Sequence, residues 1–503
     1  MSYFKRGAVG FGGLVLAGAL LSAADWPQYR GGRHDGISDD RIHTNWTSEP
    51  PAVRWRAPLT DGFSSFAVSG GKAVTQVRRL ADGRKQETCL ALDAATGREL
   101  WDTPLGYVSY WAGGGTGDGP RSTPTIAGDR VYVSNSLLVL FCLRASDGHV
   151  LWSRDLPALY GGEVIGWQNA ASPLLDEGRI FLSGTAPNGC LLALNADDGT
   201  LLWKRHNDAM THATPVAADI LGVRQIVFLA QSGLVSVLPG TGDVLWRFAF
   251  PYDTCTGASP VVAGDIVYCS AAYGIGGAAA RVVRTDSLWK AQRLWGVERD
   301  INNHWNTPVH INGYFYTMCG HYQNPILLRC VEAATGRVAW SQGGFGMGNL
   351  LAAGGRLLVL SDSGTLVLID PDPAAYREID RMKILSGKCW NSPAIADGRI
   401  YARSVTEGAC VDVAAPAAPR LRLLPSTPAG EVPFRLSIQC QDGSPVAPDR
   451  LPGIAVYASP DPAAPLAEWT RLALSPILVE GQAGIEDPEG CSLPQRFYRL
   501  EEP

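Results

Sequence analysis

Apolar and polar positions alternate along this chain in short runs, each closed by Gly, Asp, Asn or Pro. No long segment places apolar residues at helical spacing, so the pattern predicts strands joined by tight turns. The clearest unit is Cys89-Leu-Ala-Leu-Asp-Ala-Ala-Thr-Gly-Arg-Glu-Leu-Trp101. Leu90 and Leu92 alternate with smaller neighbours, Asp93 to Gly97 supply turn chemistry, and Leu100-Trp101 resume the apolar pattern. The same order of residue types returns at Cys142–Trp152, Cys190–Trp203, Val237–Trp246 and Cys330–Trp340. A unit of about 40–50 residues repeated this way implies a propeller or an array.

Each repeat opens on a small or polar residue, mostly followed by Pro, and continues as strand, Gly/Asp turn and strand. The openings are Ser64-Ser65, Ser122-Thr-Pro124, Ser172-Pro173, Thr214-Pro215, Ser259-Pro260, Thr307-Pro308, Asn349-Leu350 and Ser392-Pro393. They predict an all-β, eight-bladed β-propeller of four-stranded antiparallel blades over residues 25–413. The seventh repeat is degenerate, since Leu366–Asp370 runs into Pro371-Asp-Pro373 without the turn Gly or the Trp. The last, Ser392 to Val413, lacks its Trp strand. Val53-Arg-Trp55 is an orphan strand of that kind. The ring is therefore expected to close by pairing the first strand with the last blade, which removes a free sheet edge.

Trp55, Trp101, Trp152, Trp203, Trp246, Trp295 and Trp340 hold one place in the repeat, at the start of the outer strand. That regularity favours docking between neighbouring blades over a row of stacking platforms for sugar or quinone. Cys89, Cys142, Cys190, Cys330 and Cys410 also share one place. Equivalent strands of different blades lie too far apart to be bridged, so these five read as small buried hydrophobes.

The remaining composition narrows the setting. Lys5-Arg6, an apolar run from Gly7 to Leu21 and Ser22-Ala-Ala24 predict a signal peptide over residues 1–24, and hence a periplasmic or secreted protein without a later membrane span. A net charge of −5 with no basic cluster argues against nucleic acid. From Ala414 the chain turns Pro/Ala-rich, predicting a linker over 414–433 and a small β-sandwich over 434–503. Its strands are expected at Phe434–Ile438, Gly453–Tyr457, Trp469–Ala473 and Phe497–Leu500. Cys440 and Cys491 are a candidate disulfide there.

The pattern of Ser-Pro, apolar strand, Gly/Asp turn, Val-Tyr and then Leu-Asp-Ala-x-Thr-Gly-x-x-x-Trp resembles the pyrroloquinoline-quinone (PQQ)-type repeat. Gly128-Asp-Arg-Val-Tyr132 and Leu92-Asp-Ala-Ala-Thr-Gly97 carry it best, and the resemblance covers Trp26 to Val413. It implies the eight-bladed fold. It also implies two kinds of relative: quinone- and calcium-dependent alcohol dehydrogenases, and a non-enzymatic lipoprotein of the outer-membrane β-barrel assembly machinery. Asp25-Trp-Pro-Gln-Tyr-Arg-Gly-Gly and Lys388-Cys-Trp-Asn-Ser-Pro393 are similar to secreted propellers of environmental bacteria. The quinone enzymes typically carry an adjacent Cys-Cys pair, which is absent here, and a calcium and base set of Glu, Asn and two Asp that no positions match. Only the fold transfers, with PQQ and calcium kept open as cofactors.

In such a ring, the residues just before each inner strand surround one mouth of the channel. The expected ligand-binding rim is Arg121, Gln168, Asn169, His212, His304, Trp305, Asn306, Asn349, Trp390 and Asn391, with Thr256 beside them. Amides can hydrogen-bond a polar ligand, indoles can stack on it, and Arg121 suits a carboxylate. The same groups can instead satisfy one another around channel water. Asp118, Glu163 and Asp253 are scattered over three loops and make a weak calcium set. His206 and His321 read as ordinary loop histidines. The expectation is a monomeric binding or scaffold propeller that takes a small polar ligand or an envelope protein partner. Its alternatives are a quinone-dependent alcohol or sugar dehydrogenase and an outer-membrane protein assembly scaffold.

Overall fold

Every repeat read from the sequence forms a sheet. The computed structural model describes residues 25–110, 119–184, 190–252, 256–321, 325–416, 421–425, 434–442, 444–446, 450–451, 454–472, 477–479, 482–487 and 496–501. The expected signal peptide lies outside them. Two compact units divide after Ala414.

In the first unit, blade 1 comprises Ala67–Ser69, Lys72–Ala81, Arg84–Asp93 and Glu99–Tyr107, paired in that order. Blade 2 starts at Thr125–Ala127, blade 3 at Leu174–Asp176, blade 4 at Val216–Ile220, blade 5 at Val261–Ala263 and blade 6 at Val309–Ile311, each a four-stranded antiparallel meander. Blade 7 starts at Asn349–Ala353 and gains a fifth, parallel strand, Ile37–Ser38, on its inner edge. Blade 8 is Ala394–Ala396, Arg399–Arg403 and Glu407–Asp412, completed by Ala52–Pro58 from the start of the chain. The register sets Trp55 opposite Cys410 and Ala52 opposite Asp412. The orphan strand closes the ring as expected.

The repeated tryptophans dock one blade on the next. A bulge just before the Trp puts one extra residue into the outer strand in blades 1, 2, 3, 4, 5, 6 and 8, which re-aims the side chain that follows. The indole Nε1 then donates to a carbonyl at the next blade's outer turn. Trp55 reaches Ala94, Trp101 reaches Ala145, Trp152 reaches Asp197, Trp203 reaches Pro239, Trp295 reaches Ala333 and Trp340 reaches Asp372, at 2.8–2.9 Å. Under five of these rings sits a turn glycine of the next blade. At Gly148, φ is +73°, and a Cβ would lie 2.6 Å from Trp101. The Gly of the Thr-Gly or Asp-Gly turn is thus the seat of the neighbour's indole.

Two junctions depart from the rule, each for a visible reason. Blade 5 replaces the short turn by the long hairpin Gly276–Thr285/Leu288–Glu298. Trp246 therefore bonds within its own blade, to Gln225 Oε1 at 2.8 Å, and packs in one cluster with Val282 and Trp289. In blade 7 the Trp register position is Asp380. Here the N-terminal arm supplies an indole instead. Trp46 is buried in the core cluster shared by blades 7, 8 and 1, Thr47 donates to Asp380, and His43 N bonds Val413 O.

A buried cation spans the closing seam from blade 8 to blade 1. Arg403 is fully buried and donates to Thr75 Oγ1, Gln76 O, Thr60 O and Ser404 O. Burial lowers its pKa to about 9, so it stays charged at neutral pH. Cys89, Cys142, Cys190, Cys330 and Cys410 are buried thiols, in line with their reading as small hydrophobes.

The second unit, taken alone, holds a four-stranded sheet ordered Leu421–Pro425, Phe434–Cys440, Gln482–Asp487, Ile477–Val479. A three-stranded sheet of Thr470–Arg471, Ala455–Ser459 and Phe497–Glu501 contributes Val456 and Leu500 to a common core with Leu436 and Ile438. The expected linker over 414–433 is corrected in part, since Leu421–Pro425 pairs with Phe434–Cys440 as a strand. Cys440 is a buried thiol, and Cys491 lies outside the described residues.

The docking geometry predicts that Gly148→Ala lowers the unfolding free energy of the propeller by about 2–5 kcal/mol. It forces a left-handed Ala (about 1–2 kcal/mol) and overpacks the Trp101 ring (about 1–3 kcal/mol). Gly240→Ala, where a Cβ meets nothing within 4 Å, is the matched control and stays within about 0.5 kcal/mol. Denaturant unfolding of the two variants checks this.

Candidate functional site

The Ser-Pro and Thr-Pro openings build a ring of hydroxyls at one end of the channel. Ser65 N donates to Thr123 Oγ1 (3.1 Å), Thr123 N to Ser172 Oγ (2.9 Å), Ser172 N to Thr214 Oγ1 (2.9 Å) and Ser259 N to Thr307 Oγ1 (3.0 Å). At these four junctions one blade hands an amide to the next blade's hydroxyl, so the openings join neighbours as well as start strands. Inside this ring lies a cavity of about 180 Å³.

Its floor is the N-terminal arm. Trp26 bridges Val68 in blade 1, Pro27 O accepts from Ile126 N in blade 2, and Gln28 Oε1 accepts from Leu175 N in blade 3. The buried Arg30 then bonds Thr307 O and Pro308 O at blade 6, and Gly36 O accepts from Ala352 N in blade 7. The arm thus crosses from one side of the ring to the other, and Tyr29 lines the cavity. The channel is a cup.

Its wall is a chain of rings. Phe63 stacks on Trp390 (5.6 Å), Trp390 meets Trp305 (5.1 Å), Trp305 meets His304 (4.4 Å), and Tyr273 lies between His304 (5.0 Å) and His321 (4.7 Å). Lys388 Nζ sits 4.1 Å over Trp390. Arg121 is the one Lys, Arg, Asp or Glu among the described lining residues. Burial pulls the His212 pKa down to about 4 and the His304 pKa to about 3, so both are neutral at neutral pH. His212 Nε2 lies 2.8 Å from Gly166 O.

Seven of the ten expected rim residues line this cup: Arg121, His212, His304, Trp305, Asn349, Trp390 and Asn391. Three do not. Asn169 is fully buried and spends its amide on Ser134, Asn135 and Ala171. Asn306 bonds Gly348 O across a blade junction, and Gln168 donates to Ser109 O. Thr256 bonds Ser270 O and is structural. Glu163 is exposed and outside the lining, while Asp118 and Asp253 fall outside the described residues. His206 is a loop histidine bonded to Gly242 O, but His321 is buried against Tyr273, contrary to its reading as an ordinary loop residue. Phe63, Trp167, Tyr273 and Tyr29 were missed. Phe63 follows Gly62 just before an opening and was open to the same argument, whereas Tyr29 arrives from a distant arm with no periodic signal.

Relatives share both the sequence and the fold. Residues 84–318 match the family model described as outer membrane protein assembly factor BamB. The BamB of Moranella endobia is 24% identical over 296 residues, which cover 56% of this chain and 59% of the relative. The BamB of Yersinia pestis is 26% identical over 339 residues, covering 63% and 78%. The crystal structure of quinohemoprotein alcohol dehydrogenase from Comamonas testosteroni superposes with a TM-score of 0.57 at 12% identity, covering 81% of this chain and 83% of that one. The first unit has the β-propeller fold, and its repeats resemble the PQQ type. The first of these relatives is spanned over less than two thirds of its length.

Among the described residues, the cup does not present the donor set that calcium needs. No carboxylate lines the cup among the described residues, and no group of three or more His, Cys, Asp or Glu there is placed to hold a metal ion. The buried neutral histidines instead make stability depend on pH. The unfolded chain protonates them near pH 6.5, but the fold resists protonation down to about pH 4 and pH 3. Between these limits the unfolded state holds more protons, so stability falls as pH falls. His304→Asn is expected to flatten that slope, read as unfolding midpoints from pH 6.5 to pH 4.

Proposed function

We infer that the propeller is a binding scaffold of the bacterial envelope that takes part in outer-membrane protein assembly. The observation that carries this reading is the sequence similarity to two proteins named outer membrane protein assembly factor, which extends over more than half of this chain in each case. The protein is periplasmic or secreted, where such a partner would be met, and no helix among the described residues is long and apolar enough to cross a membrane. The physical character of the ring suits the role. Indole locks, hydroxyl handovers and a closed seam hold eight sheets rigid, so partner surfaces need little reordering on binding. The cup is aromatic, and no acid lines it among the described residues.

Deleting the gene in its source bacterium tests this. The expected outcome is a reduced amount of β-barrel proteins in the outer-membrane fraction, restored by the wild-type gene. Unchanged outer-membrane protein levels, together with alcohol-dependent dye reduction by the purified protein given PQQ and Ca²⁺, would replace the scaffold reading with the dehydrogenase one.

A further inference from the structure

The cup carries chemistry that a scaffold does not require. Asn391 is only 4% exposed and lines the cavity, yet neither its Nδ2 nor its Oδ1 has a hydrogen-bond partner. Leaving a buried carboxamide unmatched is costly, so such a group calls for a partner that arrives from outside the fold. The hydroxyls of Thr123, Ser172 and Thr214 are a second, independent observation. Each residue is buried, lines the cavity and accepts its neighbour's amide. A hydroxyl has one proton and two lone pairs, so each still has a proton to give. The backbone of the lining is also strained, since Trp167 (φ +61°) and Tyr273 (φ +58°) sit in the left-handed region. Bulky residues persist there only where the surrounding structure holds them, as it does at preorganised ligand sites.

These groups divide the cup into two sides. The three hydroxyls belong to the openings of blades 2, 3 and 4. Across an eight-bladed ring those blades face blades 6, 7 and 8, and the openings of blades 6 and 8 carry Trp305 and Trp390-Asn391. One wall is therefore hydroxylic, and the other is aromatic with a carboxamide set into it. Arg121 is engaged with Gly119 O, the Phe63 ring and the field of Glu87, and belongs to neither set. The two walls select by shape and hydrogen bonding, not by charge. Their complement is a ring with hydroxyls around its rim and apolar C–H surface on its faces. The closed floor and a volume of about 180 Å³ admit one ring, below the about 300–1,000 Å³ of clefts for drug-sized ligands.

We propose that the cup binds a single pyranose ring of a saccharide. Thr123, Ser172 and Thr214 donate to hydroxyl oxygens along one edge of the ring. Asn391 takes a neighbouring pair of hydroxyls on the opposite side, donating through its amide to one and accepting through its carbonyl from the other. The indoles of Trp305 and Trp390 cover C–H surface between them. This does not rest on the assembly reading, and either can fail alone.

Calorimetric titration of the full chain with glucose, galactose and mannose tests it, against cyclohexanol as a ring without the polyol and glycerol as a polyol without the ring. At least one hexose should bind saturably at one site, about tenfold or more tighter than either control, as the loss of two or more hydrogen bonds or of the stacked surface implies. The matching disaccharide distinguishes the source of the ring: binding as tight as the monosaccharide's supports the end of a chain, and loss of binding supports a free sugar. Asn391→Leu should weaken the hexose about tenfold or more while unfolding at no lower denaturant concentration than the wild type, because its amide is unmatched in the free protein. A purely structural amide would instead lose stability. Thr214→Val, on the opposite wall, should weaken the hexose as well, with circular dichroism checking its fold. No saturation by any of the three hexoses, equal binding of cyclohexanol or glycerol, a destabilised Asn391→Leu, or hexose binding unchanged in the variants that fold would each overturn the proposal.

Discussion

Pairing of Ala52–Pro58 with Glu407–Asp412 is the contact on which the rest depends. A row of sheets docked side by side has two ends, and each end would expose an indole seat or an unpaired edge. Taking the fourth strand of the last blade from the start of the chain turns the row into a ring. It also places Trp55 against blade 1, where its Nε1 reaches Ala94 and Tyr401 packs at 6.1 Å. Arg403 reinforces the same seam with donors to three backbone carbonyls and a threonine. A buried guanidinium is tolerated because these oxygens satisfy it.

Within the ring, one device is reused and adapted. An outer-strand bulge aims an indole at the next blade's turn, where a carbonyl accepts its proton and a glycine leaves room for the ring. The exceptions follow from what each neighbour offers. Blade 5 has a long hairpin in place of the turn, and Trp246 turns inward to Gln225. Blade 7 has Asp380 in place of Trp, and the arm brings Trp46 to the gap. One N-terminal segment therefore does three things: it floors the channel, fills the weak junction and closes the ring.

How much of this was legible follows from which signals are local. The number of sheets, the closing strand and the docking role of the tryptophans follow from a motif that returns in phase. Residues just before each inner strand could be placed at the mouth for the same reason, and seven of the ten line the cup. The three that do not are amides whose backbone partners lie within reach. A rim position says where a side chain starts and is silent on what satisfies it. The arm was not legible because Trp26 to Gly36 has no period, and its hydrogen bonds reach residues as distant in sequence as Pro308 and Ala352. The strand Leu421–Pro425 was hidden by flanking prolines that mimic linker composition.

The cup and the ring are one construction, since the groups facing the ligand space are the same openings that join blades. Amide hydrogen exchange on the full chain tests the closing seam most directly. The account predicts that residues 52–58 and 407–412 are protected together and open only with the whole propeller. Exchange of residues 52–58 at the rate of a free arm, while the sheets of blades 2 to 6 stay protected, would contradict it.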